Sequence, residues 1–304
     1  MALVQSSPDS SFGKMISKQS STFFSILKSR TLVYVFVLAA LGTFFVDSGT
    51  KIPDIFVLAK LSISVYFLAL ATYLYNDLTD YDVDKVNDRR TVSSTRSYYY
   101  QILYHTLGFF AVSVLLAFSI NVQTGVSSLG FLALAILYSH KRTHLKDRFV
   151  WKTVVTAAGG SIAAFMGFFA SDTFSYLGLV SPIIAFMFWF TLGPLGDVSD
   201  IAGDKANGRR TFPIVLGVKN TFRLMHYVIF SLMLLISSLY YFGLINMLGL
   251  IMSLITCASV SCVIMRVSKN YNEKRIIKQT RTILRYSLFL IQIMFIVGTI
   301  VTNM

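Results

Sequence analysis

Residues 77–91 read D-L-T-D-Y-D-V-D-K-V-N-D-R-R-T, and residues 197–211 read D-V-S-D-I-A-G-D-K-A-N-G-R-R-T. Eight of the fifteen positions are identical: Asp77/Asp197, Asp80/Asp200, Asp84/Asp204, Lys85/Lys205, Asn87/Asn207, Arg89/Arg209, Arg90/Arg210 and Thr91/Thr211. In each copy three carboxylates fall at i, i+3 and i+7, positions that share one face of a helix. A row of like charges is unfavourable unless a cation sits on it. The Lys and Arg that follow suit an anion held beside that cation. Carboxylate rows with basic followers point to hard metal ions that bridge protein oxygens to a phosphate.

The composition makes the repeats stand out. Of 304 residues 55% are hydrophobic and only 13% charged, against about 25% charged in a soluble domain. There are 14 acids, and eight of them (Asp77, Asp80, Asp82, Asp84, Asp88, Asp197, Asp200 and Asp204) lie in or beside the two repeats. A single acidic loop reads as a solvated helix end; two copies with one spacing and one basic tail read as a site. Asp82 falls on the opposite helical face, and Asp88 lies beyond the regular spacing.

Apolar runs occupy about 32–46, 55–75, 102–120, 125–138, 153–170, 179–195, 224–242, 244–265 and 283–302. A membrane-crossing helix needs about 20 residues, so the chain reads as an all-α, multi-pass membrane protein with nine transmembrane helices. Residues 1–24 form a polar, Ser-rich tail expected to be flexible, and 25–304 a single membrane domain. With the N-terminus cytoplasmic, alternating spans place 25 of the 27 Lys and Arg on the inside. That is the bias expected of a membrane protein. The net charge of +13 therefore reports topology and does not call for nucleic acid. Lys51 falls outside, and Lys60, near the outer end of span two, snorkels to the headgroups. Cys257 and Cys262 sit in one apolar run, with neither disulfide nor zinc spacing.

Both Asp-rich stretches then lie on the cytoplasmic side, after spans two and six. Four intervening spans make the two copies a parallel internal repeat, with two half-sites facing one cavity. Among the basic residues, Lys85, Lys205, Arg90 and Arg210 are singled out because the repeat fixes their offset from the carboxylates. A third basic loop, running from Tyr138 through His140, Lys141, Arg142 and His144 to Lys146, faces the same side and can close over a diphosphate. His140 and His144 lack a third ligand and read as loop residues. Aromatics inside the bundle can shield a carbocation by cation–π attraction, and Gly159-Gly160 suits close helix packing. An apolar cavity in the membrane with a metal-diphosphate site at its mouth suits an isoprenyl diphosphate. Metal ions there would neutralise the leaving diphosphate.

The residues Asn76-Asp77-Leu-Thr-Asp80-Tyr-Asp-Val-Asp84 resemble the first signature, N-D-x-x-D-x-x-x-D, of the UbiA-type intramembrane prenyltransferase superfamily. Asp197-Val-Ser-Asp200-Ile-Ala-Gly-Asp204 resembles the second, D-x-x-D-x-x-x-D. Gly208-Arg-Arg-Thr-Phe-Pro213 is similar to the segment that follows in many members, and the Tyr138–Arg142 loop to the family's Tyr/Lys-Arg loop. The resemblance implies a UbiA-like bundle in which Asp77, Asp80, Asp84, Asp197, Asp200 and Asp204 hold Mg²⁺ and diphosphate. Asn76, Lys85, Lys141, Arg142, Lys205 and Arg210 would assist. It also implies transfer of a prenyl chain to a lipid or ring acceptor, such as geranylgeranylglyceryl phosphate or a quinone precursor. The second motif looks closest to the branch making archaeal ether lipids. Two departures bear on the acceptor: Arg89-Arg90 is followed by Thr91 where members often have Asn-Arg-Pro, and Arg30 is followed by Thr31 where many have Arg-Pro. A cyclase of the same fold, acting without an acceptor, and a non-enzymatic binder or transporter of lipid diphosphates stand as the other readings. Transport predicts charges near the bilayer midplane, whereas these acids cluster at one face.

Overall fold

The computed structural model describes residues 33–49, 51–80, 96–140 and 142–302, with residues 96–98, 274 and 298–302 described by their backbone alone. Residues 1–24, Asp84, Lys85, Arg90 and Lys141 lie outside the described residues. In chain order the helices are α1 Tyr34–Ser48, α2 Ile55–Thr79, α3 Arg96–Phe118, α4 Val122–Ser139, α5 Trp151–Ala170 and α6 Tyr176–Ser199, followed by two short helices, α7 Ile201–Ala206 and α8 Phe212–Val215. The long helices α9 Val218–Tyr241, α10 Met247–Lys269 and α11 Lys274–Thr302 complete the chain. Eight of these are long and apolar enough to cross a membrane; α1, at 15 residues, is a shorter apolar helix. Each of the nine apolar runs is thus a helix, and no strand occurs among the described residues.

The divisions between runs follow local chemistry. The Asn121 side chain caps α4 by accepting the Thr124 N–H at 2.8 Å, Ser175 caps α6 through Gly178 at 2.9 Å, and Asn246 caps α10 through Gly249 at 2.8 Å. Each cap satisfies an N–H that the first helical turn leaves without a partner. Between α9 and α10 the turn needs Gly243, whose φ of 70° is closed to most side chains. Lys60 reaches along its helix to the Ser119 carbonyl at 3.4 Å, at the end where α3 closes.

Two buried cores stand side by side. Leu61, Leu68 and Leu74 of α2, Phe109 of α3 and Phe131 of α4 belong to one. Phe188 of α6, Ile229 of α9, Val260 of α10 and Phe295 of α11 belong to the other. Helices α1 and α5 contribute to both, Ala39 and Ala157 to one and Ala40 and Ala163 to the other. The halves therefore meet along α1 and α5. Small residues make that seam tight: a Cβ at Gly167 would lie 1.9 Å from the Ala40 carbonyl oxygen. The outward faces stay apolar, with Leu107, Leu115, Phe230 and Ile255 all exposed, as a lipid-facing surface requires.

Candidate active site

Helix α2 ends at Thr79 and α6 at Ser199, so each stops immediately before the second aspartate of its motif, Asp80 or Asp200. Asp80 has φ −93° and ψ 3°, and Asp200 φ −114° and ψ 11°. Both occupy the bridge region, where a helix turns off its axis. The carboxylate row expected on one uninterrupted helical face is therefore broken at the same repeat position in both copies. Asp204 instead sits in the separate helix α7. Electrostatics supplies the reason: three carboxylates stacked at a helix C-terminus would face both one another and the negative end of the dipole. Pro194, inside α6, also removes one backbone hydrogen bond just ahead of Asp197.

Asp77, Asp80, Asp197 and Asp204 are all buried, each at most 7% exposed, while Asp200 is exposed. Among the described residues three cations meet Asp80, Asp197 and Asp204. Lys146 Nζ lies 2.6 Å from Asp80 Oδ1 and donates to Asn76 Oδ1 at 3.2 Å and Thr79 Oγ1 at 3.3 Å. Lys152 Nζ lies 2.7 Å from Asp197 Oδ1 and 3.3 Å from Asp204 Oδ2. Arg209 reaches Asp80 at 3.5 Å, Asp204 at 3.6 Å and Asp147 at 3.0 Å. One guanidinium thus touches a carboxylate from each repeat, so the two motifs face each other across its width.

Local structure explains how Arg209 arrives there. Helix α7 ends at Ala206 with Asn207 as its C-cap, and Gly208 takes the left-handed φ of 66° that commonly closes a helix. The chain then doubles back, and the Arg209 N–H donates to the Asp204 carbonyl at 2.9 Å. The loop between α4 and α5 docks on the same point, its Asp147 carbonyl accepting the Arg210 N–H at 3.1 Å. His144 holds the other side of the Asp147 carboxylate through its ring Nδ1. Burial alone would weaken the Arg209 cation, but the Asp80, Asp147 and Asp204 carboxylates outweigh it and hold the group above arginine's ordinary pKa.

Asn76, Asp197, Asp200 and Lys152 also line a cavity of about 320 Å³. Its wall is aromatic: Phe36 meets Trp189, Phe131 and Tyr73 edge-on, with ring centroids 5.1, 5.7 and 6.5 Å away. Gly160 makes room for this wall, since a Cβ there would lie 2.5 Å from the Trp189 ring. Arg281 and Arg285 of α11 line the cavity as well.

Arg142, Lys205 and Arg210 are exposed and form no ion pair with these carboxylates among the described residues. The cations that do so are Lys146, Lys152 and Arg209. Sequence reasoning placed Lys146 in the closing loop but counted Lys152 and Arg209 among residues that set topology. Arg209 carries the same repeat signal as Arg210, and only the folded contacts tell them apart: Arg209 reaches the carboxylates, while Arg210 docks by its backbone N–H and leaves its side chain exposed. His140 and His144 are loop residues, and the described residues hold no group of three His, Cys, Asp or Glu able to bind a metal unaided. A set of hard, buried carboxylates plus the Asn76 amide oxygen still fits Mg²⁺. That ion is usually held by one or two carboxylates and completed by water and phosphate oxygens.

The family model described as the UbiA prenyltransferase family matches residues 25–292. The chain belongs to this family. It is accordingly an intramembrane prenyltransferase with several membrane-crossing helices. Among curated relatives, it is 29% identical over 198 residues to the digeranylgeranylglyceryl phosphate synthase of Methanosphaera stadtmanae, covering 64% of this chain and 70% of that one. It is also 29% identical over 235 residues to the synthase of that name from Sulfolobus acidocaldarius, covering 75% and 81%. The fold is similar to that of a solved digeranylgeranylglyceryl phosphate synthase, with a TM-score of 0.71 at 17% identity over 93% of this chain and 99% of the other. A UbiA homologue from Archaeoglobus fulgidus bound to GPP and Mg²⁺ gives a TM-score of 0.65 at 17% identity, covering 91% and 99%.

Proposed function

We propose that this family member transfers a geranylgeranyl-type chain from its diphosphate to the free hydroxyl of a prenylglyceryl phosphate, in a Mg²⁺-dependent reaction at the cytoplasmic mouth of the bundle. The observation that carries the reading is the span of Arg209 across Asp80 and Asp204. It brings both Asp-rich repeats to one point beside a cavity with an aromatic wall. The names of the curated relatives support the acceptor class, and the Mg²⁺-bound homologue supports the metal. The basic loops around both motifs support the cytoplasmic placement.

In this reading Asp77, Asp80, Asp197, Asp200 and Asp204, with Asp84 from its place in the motif, hold the metal ions. Mg²⁺ supplies charge neutralisation of the departing diphosphate. Lys146, Lys152 and Arg209 balance the charge of the buried carboxylates and offer N–H donors to phosphate oxygens. Arg142, Lys205 and Arg210, all exposed, attract the anionic donor, as would Lys85, Arg90 and Lys141 from their places in the motifs. The acceptor oxygen forms a bond to the allylic C1 as the C1–O bond breaks. The diphosphate leaves with the bonding pair and takes up the hydroxyl proton. Phe36, Tyr73, Phe131 and Trp189 face positive charge developing on the allyl group and exclude water from it.

Purified protein in nanodiscs, given geranylgeranyl diphosphate and geranylgeranylglyceryl phosphate, is expected to release diphosphate and form the diether. EDTA abolishes this and added Mg²⁺ restores it. Asp77→Asn and Asp200→Asn each lower the rate by about a hundredfold or more. Turnover undiminished in EDTA, or retained in both variants, refutes the assignment. A hydrocarbon product formed without any acceptor would mark a cyclase.

A further inference from the structure

Two arginines of α11 remain outside the carboxylate network. Arg281 and Arg285 are four residues apart, so they share one helical face, and both line the cavity. Lys146, Lys152 and Arg209 are each paired with an aspartate. Among the described residues neither Arg281 nor Arg285 has a carboxylate at salt-bridge distance. The Arg281 Nε is fully buried and has no hydrogen-bond partner. Cations inside a membrane-spanning helix are costly and are kept where they meet a partner or a pathway. These two meet an open cavity.

Their position is specific. The Arg281 Cζ lies 3.6 Å from where a Cβ would stand on Gly196, the residue before Asp197. The guanidinium therefore rests on bare α6 backbone at the edge of the carboxylate site. Arg285 lies one turn, about 6 Å, farther along α11, next to the aromatic part of the lining. The cavity thus has two chemically distinct poles. Carboxylates that suit metal-bound diphosphate lie on α2, α6 and α7, and a guanidinium pair without a carboxylate partner among the described residues lies on α11.

We infer that Arg281 and Arg285 bind the phosphate monoester of the acceptor lipid, and so select a glyceryl phosphate head over an uncharged one. This rests on the function proposed above. A phosphate monoester offers three acceptor oxygens to two planar guanidinium forks, a geometry that arginine matches and lysine does not. In a prenylglyceryl phosphate the reacting hydroxyl sits on the carbon next to the phosphate-bearing one. Fixing the phosphate beside Gly196 therefore holds the nucleophile close to the donor's C1. The acceptor's two negative charges are then met by guanidinium groups at the edge of the carboxylate site.

The test compares Arg281→Gln, Arg285→Gln and their Lys counterparts with wild type and with Lys278→Gln, an exposed position on the same helix. Each is assayed in nanodiscs with geranylgeranylglyceryl phosphate and with geranylgeranylglycerol, and donor affinity is measured separately by titrating geranylgeranyl diphosphate without acceptor. Each Gln variant is expected to raise the KM for the phosphorylated acceptor by about tenfold to a hundredfold. Donor affinity stays within about twofold, and the preference for the phosphorylated acceptor collapses. The Lys variants recover part of that preference and carry the test if a Gln variant does not fold. A parallel loss of donor affinity would assign the pair to the diphosphate and overturn the inference, as would an acceptor KM within about twofold of wild type. Wild-type protein that fails to use geranylgeranylglyceryl phosphate at all would instead sink the proposed function.

Discussion

Lys152→Met removes the ammonium that bridges Asp197 at 2.7 Å and Asp204 at 3.3 Å while keeping most of the side-chain volume. The carboxylates are 7% and 5% exposed, so solvent cannot take over the lost partner. An exposed pair would contribute about 0–1 kcal/mol, whereas removing one member of a buried pair costs about 3–5 kcal/mol. Lys152 is itself 19% exposed, which points to the lower end, about 3 kcal/mol. Buried Cys257 provides the reporter, with exposed Cys262 replaced by Ser: a thiol-reactive dye in detergent reads unfolding as Cys257 becomes accessible. Lys152→Met should melt well below the parent. Adding Asp197→Asn should recover at least about 1 kcal/mol by removing one uncompensated charge. Mg²⁺ should stabilise the Met variant more than the parent, because it supplies positive charge to the same carboxylates. A single variant within about 0.5 kcal/mol of the parent, the range of an ordinary surface change, would refute the reasoning. Simple additivity in the double variant would refute it too.

The remaining predictions concern donor binding and chain length. Arg209→Lys keeps the charge but cannot span Asp80, Asp147 and Asp204 together, so the donor KM should rise by about tenfold, and more for Arg209→Gln. Steady-state kinetics at saturating acceptor measures this, and a Lys variant equal to wild type would show that charge alone suffices. Gly160→Ala puts a methyl group into the Trp189 ring and should push that ring into the cavity. Relative turnover of C10, C15 and C20 donors should then shift toward the shorter chains; an unchanged profile would mean that the indole relaxes elsewhere.

Much of the fold was legible in the chain because membrane insertion depends on local properties. Apolar length, basic loops and capping residues such as Asn121 and Ser175 act over a few neighbouring positions, and every apolar run is a helix. The repeat of Asp77, Asp80 and Asp84 in Asp197, Asp200 and Asp204 was legible for a related reason: a parallel repeat places equal spacings at equal depths. The interruption at Asp80 and Asp200 was not, since periodicity extends a helix through any stretch without a strong breaker.

The sequence by itself determined a multi-pass helical bundle, two Asp-rich half-sites and the family. Only the tertiary structure decided which cations serve which carboxylates. Arg209 and Arg210 are neighbours with the same repeat signal, yet in the folded chain one reaches Asp80 and Asp204 and the other is exposed. Lys152 at the start of α5, and Arg281 and Arg285 on α11, look like topological charges until helix packing sets them around one cavity. The physical reason is reach. Hydropathy acts along the chain, whereas an ion pair forms across a few ångströms between residues that only the packing of distant helices brings together.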